Sequence, residues 1–389
     1  MSVVKAIVLL AVVARLAAVL ALGDGFHFTD EAAYADTARR LLGGEGFGAS
    51  YQRVPGYPML LALLGVAAPG SLLWLRLAQA AVAGIGAALV FLAAERLIGR
   101  PAAIATAAVY ALDPLLVVSA GLLYPEAAAA LLLTGAVVLA WEASRRASVS
   151  HAALAGAVLG ILAQFRPAGL AVVPLLAAWL YCATPGLRMR RLTQLIAVGL
   201  ACGLVLAPWT YRNYQIHGRL VPVSLVGTKG GNVPTDAIER RGMAAAIVGR
   251  ALDDPAGLAA RMAAEFGHFW EFAPSRMVSD DAETRATLHR ADPRLSADPA
   301  VPRTLRDLVS AATFAIELAF AAVGLIVLWR TRRREAVMLL VVVLGFALAH
   351  SLFVGKLRYR ITVLPLVFML TGAGVAAVTA RFTRPRAHS

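Results

Sequence analysis

The sequence predicts an all-α polytopic membrane protein. Hydrophobic residues make up 59% of the 389 positions and the mean hydropathy is +0.71, values too high for a protein whose whole surface meets water. The chain also contains many apolar runs of about 20 residues, the length with which a helix crosses roughly 30 Å of hydrocarbon. Short arginine clusters separate many of these runs, which is typical of loops between membrane spans.

Ten apolar runs predict about ten transmembrane helices. They lie at 3–22, 71–97, 101–119, 122–143, 150–165, 167–182, 192–211, 308–329, 336–354 and 361–380. The runs 150–165 and 167–182 are short for full crossings and meet at Arg166-Pro167. Because proline ends or bends a helix, these two runs are expected to form a tight helical hairpin.

The basic residues predict that both chain termini face the cytoplasm. With the N-terminus inside, the inner turns carry fifteen basic groups against three acids, Glu95, Glu142 and Glu335. Inner loops of membrane proteins have this excess of positive charge. The net charge of +14 is therefore explained by membrane orientation, and nucleic-acid binding is not expected. The only two cysteines, Cys182 and Cys202, exclude a disulfide or zinc framework.

The topology divides the chain into three parts. Residues 1–216 form a transmembrane module with a first outer loop at 23–70, residues 217–307 form an outer segment with interfacial helices, and residues 308–389 contain the last spans and a basic cytoplasmic tail. Outer segments of this length usually carry function.

Local patterns predict one interfacial helix in each outer segment. In the first, Thr29 precedes Asp30 and the pattern predicts a helix that is capped by Thr29 and ends at Gly43-Gly44. In the second, apolar residues recur at helical spacing from Pro255 to Phe272. The Asp/Arg-rich stretch from Ser279 to Arg306 has no such apolar face and is expected to be a loop.

Charged residues on the outer side are the strongest functional signal, because an ionisable group at a membrane interface usually has a task. Carboxylates can act as general bases, and arginines can neutralise a phosphate leaving group. A membrane enzyme with a lipid-linked phosphosugar donor needs both. The alternative, that Asp30 and Glu31 only cap a helix, stays open. The outer charges are Asp30, Glu31, Arg53, Asp113, Glu126, Arg166, Arg212, Lys356, Arg358 and Arg360.

Ordered motifs along most of the chain resemble the GT-C superfamily of polyprenyl-phosphate-sugar glycosyltransferases, especially the branch of protein O-mannosyltransferases and lipid A aminoarabinose transferases. The motifs are Asp30-Glu31-Ala32-Ala33-Tyr34, Arg53-Val54-Pro55-Gly56-Tyr57-Pro58, Leu123-Tyr124-Pro125-Glu126, Arg166-Pro167, Pro208-Trp209-Thr210-Tyr211-Arg212-Asn213, and Arg358-Tyr359-Arg360 leading into Pro365. The resemblance implies the GT-C fold and an inverting transfer of one sugar, from a polyprenyl-phosphate donor to an acceptor on the outer face of the membrane.

The resemblance also implies roles for individual residues. The family's catalytic base maps to Asp30, with Glu31 in support, and its second acid maps to Asp113, for which a helix cap before Pro114 is the alternative. For each arginine the alternative is contact with lipid headgroups. The expected donor-phosphate ligands are Arg358, Arg360, Arg212, Arg53 and Arg166. Further pocket candidates are Tyr34, Tyr57, Glu126, Asn213, Lys356 and Tyr359.

The expected partners are the lipid-linked sugar donor, a lipid, glycan or protein acceptor, and the bilayer. No metal site is predicted, although some relatives use a divalent metal, because no His-x-x-x-His or Asp-x-Asp spacing appears. The composition favours a bacterial cytoplasmic membrane with the active site outside. The rival function is a transporter or flippase of a lipid-linked anion. Neither the sugar nor the acceptor is identified by the sequence.

Overall fold

The structure is a computed structural model that describes residues 2–23, 25–48, 53–218, 220–224, 232–233, 235–273, 282–296 and 303–383. Within these residues the chain forms eighteen α-helices and one 3₁₀ helix. They are α1 (Val3–Leu22), α2 (Thr29–Leu42), α3 (Gly56–Gly65), α4 (Leu72–Ile98), α5 (Arg100–Leu112), α6 (Pro114–Ser119), α7 (Glu126–Arg146), α8 (Val149–Phe165), the 3₁₀ helix (Pro167–Ala171), α9 (Val172–Ala183), α10 (Arg188–His217), α11 (Thr235–Arg241), α12 (Met243–Asp253), α13 (Pro255–Phe269), α14 (Ala282–Ala291), α15 (Arg303–Thr331), α16 (Arg333–Ser351), α17 (Leu357–Arg360) and α18 (Leu364–Thr383).

Among the residues that the structure describes, seven helices are long and apolar enough to cross a membrane: α1, α4, α7, α10, α15, α16 and α18. Each coincides with a predicted span, so the all-α multi-pass membrane class is confirmed. The other three predicted spans are shorter. The run 101–119 is divided into α5 and α6, 150–165 is the 17-residue α8, and 167–182 is the 3₁₀ helix followed by α9. The hairpin break at Arg166-Pro167 is present, but the count of ten spans is not confirmed.

The break between α5 and α6 explains a charge inside the first apolar helix. Arg15 is buried and donates to the carbonyl oxygens of Tyr110 (2.8 Å) and Ala111 (3.2 Å), which the end of α5 leaves without helical donors. On the other side of the break, Asp113 accepts the backbone N–H of Leu116 at 2.7 Å. Two charged side chains therefore satisfy the backbone where the helix is interrupted.

Small residues allow the closest helix packing. A Cβ atom added to Gly324 of α15 would lie 1.8 Å from the Leu370 carbonyl oxygen of α18, and one on Gly374 would lie 2.0 Å from the Phe320 carbonyl oxygen. Only glycine permits this backbone approach, which is typical of helix pairs in membranes.

The arginine-rich turns and the loops that carry the predicted site residues lie at different helix ends. At the basic end, Arg332 donates to the Leu97 carbonyl oxygen (3.3 Å) and Trp141 donates to Glu335 (3.0 Å), so the arginine-rich turns lie together. The loops that carry Asp30, Glu126 and Arg358 meet at other helix ends, through direct side-chain contacts.

The outer segments contain more helix than the sequence predicts. The helices expected at Thr29 and Pro255 are present as α2 and α13, although α13 ends at Phe269 and α2 is not capped by the Thr29 hydroxyl. The expected loop from Ser279 to Arg306 is wrong over α14 and over the first turn of α15; its other residues lie partly outside the described ranges. Helix α14 is followed by a single bridge between Leu295 and Phe26, which places this segment against the start of α2.

A buried ion pair fixes the N-terminal end of α2. The Glu31 carboxylate accepts the backbone N–H groups of His27 (2.8 Å), Phe28 (3.0 Å) and Leu123 (2.9 Å), and it pairs with Arg76 of α4 at 3.2 Å. The side chains of Glu31 and Arg76 are both fully buried. Arg76 also donates to the Gly23 and Gly25 carbonyl oxygens. Glu31 thus joins the first outer loop, α4 and the turn before α7.

Removal of either member of this pair is expected to destabilise the fold. Glu31→Gln or Arg76→Met leaves a buried charge without its partner, which costs about 3 to 5 kcal/mol. Unfolding of the purified protein by SDS titration measures this loss. The control is Asp236→Asn, which breaks an exposed helical pair with Arg240 and should change the unfolding free energy by less than about 0.5 kcal/mol. An equal loss of unfolding free energy in the control and in the Glu31 and Arg76 variants would contradict an anchoring role for Glu31.

Candidate functional site

The candidate site is centred on Asp30, one residue after the start of α2. Its Oδ1 accepts from Arg53 at 3.0 Å, and its Oδ2 accepts from Arg358 at 3.0 Å. Arg53 precedes α3, whereas Arg358 lies on α17, 328 residues away in sequence. The side chain of Asp30 is 37% exposed, so it can be reached from solvent while it is paired.

A second carboxylate lies next to this pair. Glu126 begins α7, is 2% exposed, and forms a short contact with Arg166 at the break between α8 and the 3₁₀ helix. Its Oε1 also lies 3.7 Å from Nε of Arg358, so Arg358 connects Asp30 to Glu126. We call the five residues Asp30, Arg53, Glu126, Arg166 and Arg358 the outer charge cluster.

Tyrosine rings enclose the arginines of the outer charge cluster. The Arg358 guanidinium carbon lies 4.4 Å from the ring centre of Tyr124 and 5.3 Å from that of Tyr359. Arg166 lies 4.2 Å from the same Tyr359 ring, and Arg53 lies 5.5 Å from the ring of Tyr34. Cation–π contacts hold the guanidinium planes in place without using their N–H donors.

The ion pairs set the protonation of the site. Burial raises the pKa of Asp30, but Arg358 and Arg53 outweigh that effect, so the pKa lies below its ordinary value. Burial lowers the pKa of Arg358, whereas Tyr124, Glu126, Tyr359 and Asp30 together raise it well above the usual range. Asp30 is therefore an anion, and Arg358 a cation, at neutral pH.

The outer charge cluster holds a surplus of positive charge. Three guanidinium groups face two carboxylates, which leaves a net charge of +1 when all five are ionised. The Glu126 Oε2 and the Nε atoms of Arg166 and Arg358 are buried, and no hydrogen-bond partner is assigned to them among the described residues. A buried polar atom without a partner is costly, so a ligand with both anionic and hydroxyl groups would complement this cluster.

Asp113 and Arg360 belong to a different cluster from Asp30. Asp113 is 5% exposed, caps α6 and interacts with Glu317 of α15. Arg360 is 1% exposed, donates to the Glu271 carbonyl oxygen at 2.8 Å and covers the Phe314 ring at 3.5 Å. Of the two arginines on α17, only Arg358 therefore contacts Asp30. The arrangement makes Glu126, and not Asp113, the second acid beside the predicted base.

Arg212 and Asn213 connect the C-terminal end of α10 to neighbouring loops. Arg212 donates to Asn213 (2.9 Å) and to the Gly48 carbonyl oxygen, and it covers the Trp209 ring at 4.4 Å. Asn213 is fully buried and donates to the Val221 carbonyl oxygen at 2.9 Å. These contacts join α10 to the first outer loop and to the chain that follows, and none of them reaches the outer charge cluster.

The remaining candidates are Tyr34, Tyr57 and Lys356. Tyr34 packs edge to face on Tyr57, at 4.9 Å between ring centres, and Tyr57 is 1% exposed with its hydroxyl donating to Gln79. Lys356 precedes α17. Burial raises the pKa of Tyr359, but the charges of Arg358, Arg166 and Lys356 together hold that pKa below its ordinary value. Among the described residues, no three His, Cys, Asp or Glu side chains form a group that could hold a metal ion.

Sequence reasoning missed several residues that build the site. Tyr124 is part of a quoted motif, but only its position against Arg358 reveals its role. Arg76 and Gln79 lie within an apolar helix, and such polar residues inside a span were the available signal. The ion pair between Arg294 and Asp36, at 2.8 Å, links the second outer segment to α2 and had no sequence signal.

Comparisons with known proteins identify the fold. No family model matches the chain, and no curated protein matches it. Among solved structures, the apo oligosaccharyltransferase of Archaeoglobus fulgidus is similar, with a TM-score of 0.61 and 14% identity. The alignment covers 98% of this chain and 51% of the oligosaccharyltransferase chain. ArnT from Cupriavidus metallidurans bound to undecaprenyl phosphate is also similar, with a TM-score of 0.60 and 16% identity. The alignment covers 96% of this chain and 60% of the ArnT chain.

A further match is the Archaeoglobus fulgidus oligosaccharyltransferase AglB in complex with an inhibitory peptide and a dolichol-phosphate. It covers 96% of this chain and 50% of that chain, with a TM-score of 0.59 and 14% identity. The present chain thus spans about half to three-fifths of the length of these proteins. AglB and ArnT belong to the GT-C superfamily, so the predicted GT-C fold is confirmed.

Proposed function

We propose that the protein is an inverting glycosyltransferase that moves a single sugar from a polyprenyl-phosphate donor to an acceptor. The observation that carries this proposal is the outer charge cluster, in which an accessible carboxylate at the start of a helix is surrounded by a surplus of arginine. The GT-C fold supports it, since one structure of that fold is of ArnT bound to undecaprenyl phosphate and another is of AglB with a dolichol-phosphate.

The proposed reaction follows from the charges. The acceptor hydroxyl attacks the anomeric carbon of the donor sugar, and Asp30 accepts the hydroxyl proton as general base. The bond between the anomeric carbon and the phosphate oxygen breaks, and its electron pair leaves with the polyprenyl phosphate. Arg358, with Arg166, neutralises the negative charge that develops on this leaving group. The products are the glycosylated acceptor and polyprenyl phosphate.

We place the reaction at the outer face of a bacterial cytoplasmic membrane. Seven apolar helices support a multi-pass protein. The arginine-rich helix ends lie away from the outer charge cluster, and their positive charge supports a cytoplasmic position for them. We divide the chain into a transmembrane module at 1–216, an outer segment at 217–307 and C-terminal spans at 308–389. We propose that the outer segment recognises the acceptor. The pair of Arg294 with Asp36 supports this, because it brings that segment onto the helix of the proposed base.

Replacement of the base should separate catalysis from structure. Asp30→Asn keeps the shape of the side chain but removes the proton acceptor, and we expect turnover to fall about 10² to 10⁴-fold. The assay incubates purified protein with radiolabelled polyprenyl-phosphate sugars and a membrane extract, and it follows label into a new product. Several sugars are tested, since the sequence does not identify the donor.

The matched control for this variant is Glu45→Gln, in the loop directly after the same helix. Glu45 is exposed, so the loss of its charge should leave turnover within about twofold. Near-normal turnover of folded Asp30→Asn would remove Asp30 as the base. Movement of intact donor across vesicles, with no labelled product from the wild-type protein, would favour the flippase instead.

Donor binding should depend on Arg358. Its loss removes charge-assisted hydrogen bonds worth about 1.5 to 3 kcal/mol each, so Arg358→Ala should bind undecaprenyl phosphate about 10- to 150-fold more weakly. Arg358→Lys should recover only part of this affinity, because lysine keeps the charge but not the planar fork. Isothermal titration in nanodiscs measures the affinity, with the exposed Arg39→Ala as control. Unchanged affinity in Arg358→Ala would place the phosphate elsewhere.

Thiol labelling in intact cells tests the orientation. In a variant with Cys182 and Cys202 replaced by alanine, Glu45→Cys in the first outer loop should react with a membrane-impermeant maleimide added outside. Arg333→Cys at the basic end should react only after the cells are opened. Both positions are exposed, so access depends on the side of the membrane. Labelling of Arg333→Cys in intact cells would invert the proposed topology.

A further inference from the structure

The proposed base is not free to accept a proton in this structure. Arg53 holds Oδ1 of Asp30 and Arg358 holds Oδ2, each at 3.0 Å. A carboxylate between two cations binds a proton weakly, because protonation removes both ion pairs. Something in the reaction cycle must therefore release at least one arginine before Asp30 can act.

Arg358 is the arginine whose surroundings leave one contact able to change. The Tyr124 and Tyr359 rings cover its guanidinium at 4.4 and 5.3 Å, and its Nε is buried 3.7 Å from Glu126. These groups fix the plane and one edge of the guanidinium. Its Nη2, in contrast, bonds a carboxylate that is 37% exposed, so this bond can be exchanged for one to an incoming anion.

The geometry of inversion argues against Arg358 holding the base and the phosphate together. In an inverting displacement the attacking group and the leaving group lie on opposite faces of the anomeric carbon. The carboxyl groups that flank this kind of reaction in inverting glycosidases are roughly 6.5 to 9.5 Å apart. Two anions on one guanidinium nitrogen are closer than this and repel each other. In the reactive state, Arg358 can therefore serve only one of them.

We propose that the donor phosphate displaces Asp30 from Arg358, so that binding of the donor releases the base. This inference rests on the proposed function and adds an order to it, since the donor must bind before the acceptor hydroxyl can be deprotonated. The exchange conserves charge at Arg358, because the carboxylate and the donor phosphodiester each carry one negative charge. Arg53 remains on Oδ1 and keeps Asp30 oriented.

The same exchange closes the cycle. When the sugar is transferred, the acceptor hydroxyl proton passes to Asp30, which becomes neutral and no longer competes for Arg358. The leaving polyprenyl phosphate, now a monoester, carries more negative charge than the donor did, so Arg358 holds it at the moment of bond cleavage. Loss of the proton from Asp30 to water restores the carboxylate, which pairs with Arg358 again and favours product release.

A double-mutant cycle on undecaprenyl phosphate binding tests the exchange. Removal of the competing carboxylate by Asp30→Asn should tighten binding about fivefold when Arg358 is present. In an Arg358→Gln background, the same change should tighten binding less than twofold, because the contact that is exchanged is already absent. Glu45→Gln removes an equal charge from the exposed loop directly after the same helix and should leave affinity unchanged in both backgrounds.

Equal tightening in the two backgrounds would show that the Asp30 charge acts on the phosphate without Arg358, and it would overturn the exchange. Unchanged affinity of Asp30→Asn with Arg358 present would overturn it as well. A crystal structure of the wild-type protein with undecaprenyl phosphate gives an independent answer even if Arg358→Gln fails to bind. It should show Nη2 of Arg358 on the phosphate and no longer within 3.5 Å of Asp30; persistence of the ion pair would overturn the inference. Absence of both binding and sugar transfer in the wild-type protein would instead defeat the proposed function itself.

Discussion

The buried pair of Glu31 with Arg76 is the interaction on which the site depends. Charges are stable away from water only when they are paired and fully hydrogen-bonded, and Glu31 meets this condition with three backbone N–H groups and Arg76. Because Asp30 is its neighbour in α2, this anchor fixes where the exposed carboxylate stands. The two adjacent acids therefore have different tasks. Glu31 has its hydrogen-bonding capacity filled and holds the backbone, whereas Asp30 remains exposed.

The sequence predicts the all-α membrane class and the seven long apolar helices, because hydropathy and run length can be read from the local composition of each segment. It predicts the site less well, since the site depends on the direction of each side chain. Arg358 and Arg360 looked equivalent as two cations around an aromatic residue, yet they lie on one helical turn, where residues two apart point about 200° apart. Only one of them can face Asp30. Asp113 was assigned by its order along the chain, but its backbone at the helix break directs it towards Glu317.

The missed helix α14 has a similar cause. A charged segment with no apolar face gives no periodic signal, and its helix is supported by contacts made elsewhere. Leu288 and Leu295 pack against the residues around α2, and Arg294 pairs with Asp36. Tertiary contacts of this kind cannot be read from local sequence, because neither partner carries a pattern by itself.

The second outer segment contacts the two chain segments that carry Asp30 and Arg358. Arg294 pairs with Asp36, farther along α2 than Asp30, and the Glu265 carboxylate of α13 accepts the backbone N–H of Gly355 at 2.7 Å, three residues before Arg358. A Cβ on Gly355 would lie 1.9 Å from the Glu265 carbonyl oxygen, so the turn and α13 are in direct backbone contact. A movement of this segment, for which we propose acceptor recognition, would therefore act on α2 and on the turn before α17 together. A single segment thus provides a physical route by which acceptor recognition can influence both sides of the proposed transfer.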